Sequence, residues 1–527
     1  MKGGMDGMKG LTATGVRRGT VRKRLGAGVL TALAGAAAAL LPACKVSPDY
    51  KRPPLEVPGG YKSATTMESS TEPGFGQDWW VVFGDAELNG LEERAVYGNQ
   101  NVKAAMARVA QARAALTVTR SQFYPVVTAD PSVTRSRSAA GRSGSGATAT
   151  NIRIPFDVSY EVDIWGRISR SVEAGKAQVK EFEAAFAVVL QTLEADVASD
   201  YFSLRSLDRQ SAILTREIDE YRQQENLIQQ KVDAEIANSK LDLAQVQSVL
   251  ETTITQEADL RRQRADFEHA IAVLLGVPPA EFSLPVREQR LAAPAIPAGL
   301  PVDLLYRRPD VAEAEQTLIA ANANVGVAMA NFYPVVTLTG AGGFESFDLQ
   351  HVANWQSTFW SLGPDVSIPL FTGGRLTGQL RQAKAQYDEI LADYRQAVLT
   401  AFQDVEDNLS DLHLRAESAA AADRAVTASR QYRELSDVEY RQGIIDALTL
   451  IDADRTLQQA EITQAQIEAA RLTSTVLLIK SLGGAWNQAD PTRMPVPFPG
   501  AATLPAGTMP AIGEAMTAPA SAPALGR

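Results

Sequence analysis

The six residues Phe123-Tyr124-Pro125-Val126-Val127-Thr128 recur letter for letter as Phe332-Tyr333-Pro334-Val335-Val336-Thr337, 209 positions later. Three shorter matches keep an offset of 208: Asp157-Val158-Ser159 with Asp365-Val366-Ser367, Gly166-Arg167 with Gly374-Arg375, and Lys176-Ala177-Gln178 with Lys384-Ala385-Gln386. Chance does not supply this, so the chain is two copies of one unit, and its fold has to be built twice. The proline-dense stretch from Gly276 to Pro301 is unsuited to regular structure and reads as a connector.

Each copy opens with an Ala-rich helical stretch, about 85–122 and 303–331, ended where Tyr-Pro disfavours helix at Tyr124 and Tyr333. Two strands are expected next. In the first copy Ile152, Ile154, Phe156, Val158, Tyr160, Val162 and Ile164 alternate with polar residues, and in the second Trp360, Leu362, Val366, Ile368 and Leu370 do the same. Alternation over ten or more residues matches a tilted strand crossing a bilayer, whereas ordinary strands are about half that length. Ser136 to Thr150 reads as a flexible loop between the first two strands, and Trp355, Phe359 and Trp360 as an interfacial aromatic girdle. Prolines 131, 155, 364 and 369 weigh against uninterrupted ladders.

Two very long helices follow, over about 173–232 and 381–441, with no proline inside them. Tyr394, Val398, Ala401, Phe402, Val405 and Leu409 form a narrow apolar stripe, repeated in the first copy at Phe186, Val189, Leu190, Leu193, Val197 and Tyr201. At 1.5 Å per residue each helix reaches roughly 90 Å, a length that means coiled-coil packing. The first hairpin turns near Asp233 to Asn238, with Ser239 and Asp242 as a capping box for the return helix. The second turns at Gly443, with Asp446 as N-cap.

The N-terminus is basic through Arg24 and then apolar from Leu25 to Leu41, which is a secretory signal over 1–43. Its end, Leu41-Pro42-Ala43-Cys44, resembles the bacterial lipobox, which implies acylation of Cys44 and a lipid-anchored segment over 44–84. Cys44 is the one cysteine, so no intrachain disulfide forms. Removing 1–43 moves the formal charge from −10 to −16, and so acidic a chain is no partner for nucleic acid. No later apolar run reaches the length of a membrane helix, so any crossing must be made by strands. The domain reading is completed by a first repeat over 85–276, a connector over 277–302, a second repeat over 303–490, and a disordered Pro/Ala-rich tail over 491–527.

The fold class is therefore an α+β membrane duct, each repeat giving a strand pair and a long helical hairpin. Four strands cannot close a barrel, because the smallest bacterial barrels need about eight. Three chains supply twelve strands, remove every open edge in lipid, and leave a lumen that eight strands would not.

The motifs that carry a family resemblance are Pro48-Asp49-Tyr50-Lys51-Arg52-Pro53, Phe83-Gly84-Asp85, Tyr160-Glu161-Val162-Asp163-Ile164-Trp165-Gly166-Arg167, Arg307-Arg308-Pro309-Asp310-Val311, Leu370-Phe371-Thr372-Gly373-Gly374-Arg375 and Leu448-Thr449-Leu450-Ile451-Asp452-Ala453. Together they resemble the lipoprotein branch of the TolC-like outer membrane factors, from Cys44 to about Trp486. The resemblance implies a homotrimer with a twelve-stranded barrel in the outer membrane and a periplasmic helical tunnel. It implies docking to a periplasmic adaptor and an inner-membrane resistance-nodulation-division pump, for efflux of small toxic compounds. It further implies a periplasmic gate at Leu448 and Asp452, with Arg441 as a candidate partner, and an adaptor-docking tip at Gly443. The family usually has glycine at both tips, and the first turn departs from this with Lys231-Val232-Asp233-Ala234-Glu235.

An enzyme, a structural coiled-coil lipoprotein and a duct for one-step protein secretion are the competing readings. The three histidines, His269, His351 and His413, lack ligand spacing, and neither a nucleophile elbow nor a phosphate loop stands out, so no cofactor or metal is expected. A coiled-coil lipoprotein leaves the alternating strands unexplained. The lipobox favours the pump branch over secretion by family association.

Overall fold

A computed structural model of the chain describes residues 46–55, 57–62, 78–137, 147–236, 239–290, 293–294, 308–484 and 486. The signal segment, Cys44, Arg307, the Ser239 side chain, most of the connector and the tail lie outside the described residues.

The helices are α1 (Ala86–Gly98), α2 (Gln100–Ser121), α3 (Arg167–Asp233), α4 (Ser239–Leu274), α5 (Pro309–Ala330), α6 (Arg375–Arg441) and α7 (Ala447–Ser481). The strands are β1 (Val126–Ala129), β2 (Ser132–Arg137), β3 (Thr148–Glu161), β4 (Val335–Ser346) and β5 (Thr358–Ser367). All strand pairs are antiparallel, in the order β1-β3-β4-β5 with β2 continuing beside β3. The sheet sits at one end and the hairpins α3–α4 and α6–α7 run away from it. α3 and α6 each have 67 residues, about 100 Å at helical rise.

Four sequence expectations change. The first strand is broken in two at Asp130–Pro131, because the register sets Asp130 and Pro131 opposite Pro155 and Ile154, so two prolines remove donors at adjacent rungs. The loop expected over 136–150 begins and ends as strand, with Ser136 and Arg137 paired to Ala149 and Thr148; its hydroxyl and arginine side chains hid the alternation. Phe359 is not part of an outward girdle. It lies opposite Gly343 on the polar face, with the Arg153 guanidinium 4.8 Å over its ring, while Trp355 and Trp360 are more than four-fifths exposed. The stretch 85–122 is two helices, because Asn99 leaves helical geometry and its side chain caps α2 through the amides of Asn101 and Val102. That break is where the chain meets the end of α4: a Cβ on Gly98 would stand 2.0 Å from the Leu275 carbonyl oxygen.

The core lies where both repeats meet around the middle of α3. Val197, Tyr201, Phe202 and Leu204 pack with Trp79, Trp80, Phe83, Ile271, Leu318, Val398, Val405 and Val476, all buried. Leu88 and Val197, at 0% exposure, have all their apolar surface removed from water, worth roughly 1.5–3 kcal/mol per side chain.

Candidate functional site

At the far end of the hairpins the two turns are built on one plan. Ile236 donates its amide to the Lys231 carbonyl at 3.1 Å, and Ile444, 208 positions later, donates to Glu439 at 2.9 Å. This six-to-one closure needs a left-handed residue just before the last donor. Gly443 supplies it at φ 71, whereas the first turn forces Glu235 to φ 55. Asp446 then caps α7, accepting from the Thr449 amide at 2.9 Å and its hydroxyl at 2.7 Å. Hydrogen bonding to Thr449 holds the Asp446 carboxyl below the usual carboxylate range.

Leu448 and Asp452 sit on the first turns of α7 and are both exposed in the single protomer. Ala447, Ile451 and Asp454, on the other side of the same turns, are buried. Ala447 and Ile451 pack on Ile228 of α3 and Val246 of α4, so the return helix of one hairpin rests on the other hairpin. Arg441 is paired with Asp437 at 2.8 Å, one turn back on α6.

Behind the exposed face lies a cluster that the sequence did not reveal. Asp454 accepts from Arg433 Nε at 3.0 Å and from Gln224 Nε2 at 3.1 Å, and Arg433 also reaches Glu220 at 2.6 Å. Glu217 and Tyr221 lie beside them, buried, with Glu217 Oε2 and the Tyr221 hydroxyl unpartnered within the protomer. Burial first, then the charges of Asp454, Glu220 and Glu461, against the opposing pull of Arg433, push the Glu217 carboxyl up to about 8. Burial also raises Asp454, opposed by Arg433 and Gln224. The signal in the sequence was acids at core-facing positions of a helix stripe, which periodicity reads as surface.

The sequence motifs form joints. Asp163 accepts from the Ile168 and Ser169 amides at the start of α3, and Glu161 grips Arg167 at 2.6 and 2.8 Å. Trp165 donates to the Pro334 carbonyl at 2.7 Å and stacks on Tyr333, tying one repeat to the other. Arg170 holds the Ser47 carbonyl and Asp49, and Arg52 grips Glu315 at 2.5 and 2.6 Å, so the N-terminal segment is strapped across both repeats. Asp85 caps α1 and accepts from the Tyr201 hydroxyl at 2.7 Å. Arg308 bridges Asp310 and Asp404 and reaches the Ala401 and Ser481 carbonyls. Among the described residues no His, Cys, Asp and Glu group could hold a metal ion, and no helix is long and apolar enough to cross a membrane.

This geometry is shared. The sequence profile of outer membrane efflux proteins matches residues 91–277 and 300–484, one block per repeat. The chain is 33% identical over 465 residues to the toluene efflux pump outer membrane protein TtgF of Pseudomonas putida, covering 85% of this chain and 95% of that one. It is 28% identical to the cation efflux system protein CusC of Escherichia coli, covering 85% and 97%. The solved outer-membrane channel OprN superposes with a TM-score of 0.79 at 32% identity, covering 84% of this chain and all of that one.

Proposed function

The chain belongs to the outer membrane efflux protein family, and from that premise we propose that it is a lipid-anchored exit duct, gated at Leu448 and Asp452 and docked to its adaptor through the tip at Gly443. Three protomers form an outer-membrane channel that receives cargo from an inner-membrane pump and its adaptor and releases it outside the cell. The observation that carries this is the joining of a sheet too small to close alone to hairpins long enough to span much of the periplasm. The relatives named above export toluene and cations, and small toxic compounds are the cargo proposed here.

Support for the gate is that Leu448 and Asp452 are exposed on a helix whose opposite face is fixed to the neighbouring hairpin. Support for the docking tip is that Gly443 has open space around it at the end of one of the two longest helices. The anchor rests on Leu41-Pro42-Ala43-Cys44. Single-channel recording in a planar bilayer, with the mass of the purified protein, tests the duct: a trimer with discrete conductance supports it, and a non-conducting monomer refutes it. Cys44→Ser should abolish lipid labelling while leaving the trimer intact; labelling that persists would remove the anchor from the proposal.

A further inference from the structure

The cross-strand register sorts the side chains of the sheet onto two faces. Arg153, opposite Glu345 and Ser132, belongs to the polar face, which also carries Asp157 and Asp365 and lines the lumen. The other face presents Val133, Phe156, Trp360 and Leu362 to lipid, with Ile152 buried on the same side. Toward the end farthest from the helices, this lipid-facing surface changes chemistry on each of the four strands that reach it, β2 to β5. Val133 gives way to Arg135 and Arg137, Ile152 to Thr150 and Thr148, Phe344 to Ser346, and Trp360 to Thr358. The register sets Arg135 beside Thr150 and Arg137 beside Thr148, all on the outward side.

The change marks where hydrocarbon ends. At about 3.4 Å per residue, Arg135 lies roughly 7 Å and Arg137 roughly 14 Å along the strand beyond Val133. Strand tilt reduces these heights and places both guanidinium groups at headgroup depth. Arginine on a lipid-facing strand is costly in the membrane centre and nearly neutral at the interface. Two arginines on one strand face at that depth fit an anionic oxyacid held by paired N–H donors. Because the sheet spans an outer membrane and this is its external end, the oxyacid there belongs to the outer leaflet.

We propose that Arg135 and Arg137, with the hydroxyls of Thr148 and Thr150, form a binding site for the phosphate groups of a lipid A-type glycolipid of the outer leaflet, one site per protomer. The acyl chains of that lipid would lie along Val133, Phe156 and Trp360. The proposal rests on the outer-membrane placement of the sheet, which trimer mass and conductance test independently.

The test titrates fluorescent bisphosphorylated lipid A into the purified full-length trimer in detergent, beside a dephosphorylated lipid A and inorganic phosphate. Wild-type protein should bind the bisphosphorylated lipid, with roughly tenfold or greater weakening in R135Q/R137Q and for the dephosphorylated lipid. R153Q, an arginine on the opposite, lumen face and set nearer the helices beside Ser132, should bind as wild type does. Equal affinity for the dephosphorylated lipid, which needs no variant, overturns the proposal. So does inorganic phosphate binding as tightly as the lipid, which would make this a free-anion site. Loss of the trimer in R135Q/R137Q would assign the arginines to the seam between protomers and also overturn it.

Discussion

Glu217 is 8% exposed on α3, ringed by Asp454, Glu220, Glu461 and Arg433. With its carboxyl pushed up to about 8, it is protonated in the folded protein at pH values where the unfolded chain has lost the proton. The folded state therefore gains from this group below the ordinary carboxylate range, and that gain is lost as pH rises toward 8. Glu217→Gln should flatten this slope. Melting of the solubilised trimer should match wild type near pH 5 and occur several degrees higher near pH 9; an unchanged slope would show that other groups set it. Glu235 carries a different cost. Its φ of 55 puts a side chain in the left-handed region that Gly443 occupies freely in the second turn, at roughly 1–2 kcal/mol. Glu235→Gly should raise stability by about 1 kcal/mol, read as a higher melting temperature, and a fall would mean that the Glu235 side chain makes contacts across the assembled trimer.

The hairpin α6–α7 ends in a turn where a Cβ at Gly443 would meet nothing within 4 Å. Gly443→Trp should therefore leave the trimer assembled, at a strain of about 1–2 kcal/mol in the turn. If the tip docks the adaptor, the same variant should reduce efflux in cells several-fold; normal efflux with normal expression would remove the tip from the docking surface. The elements themselves were legible where a residue's neighbours in sequence decide its conformation. The stripe through Tyr394, Val398, Ala401, Val405 and Leu409 is buried as a heptad-like pattern predicts, and Asp446 caps as its position before α7 predicts. The misses needed partners distant in sequence. Asn99 breaks a helix because Gly98 must touch the end of α4. Pro131 breaks a strand because Pro155 lies one rung away across the sheet. Ser136 and Thr148 are strand because they pair with each other's neighbours. The Glu217 and Asp454 cluster was invisible for the same reason, since three helices bring it together.

At the scale of the trimer, the exposed faces of a single protomer become shared ones. The free edges of the protomer sheet, β1 and β2 on one side and β5 on the other, are closed only by further copies, and closure carries the helical hairpins into a ring. Leu448 and Asp452 stand four residues apart on α7 and so share one helix face, with the opposite face anchored through Ile451 and Asp454. If that face points at the threefold axis, three copies set an apolar ring beside a ring of carboxylates at the inner end of the tunnel. A narrow ring of carboxylates draws cations and repels anions, so the resting channel should conduct little and favour cations. Asp452 near a helix N-terminus also gains about 0.3–1 kcal/mol from the helix dipole wherever it points, but Asp446 already caps that end. The double substitution Leu448→Ala with Asp452→Ala separates the two roles. It removes no buried contact, so trimer mass and melting temperature should stay close to wild type. In planar bilayers it should raise single-channel conductance several-fold and weaken the preference for potassium over chloride. Arg441→Gln should leave both quantities nearly unchanged if the Asp437 pair is its whole role, and should raise conductance if it also braces the closed ring across the protomer boundary. Unchanged conductance and selectivity in the double variant would place the constriction elsewhere along the tunnel.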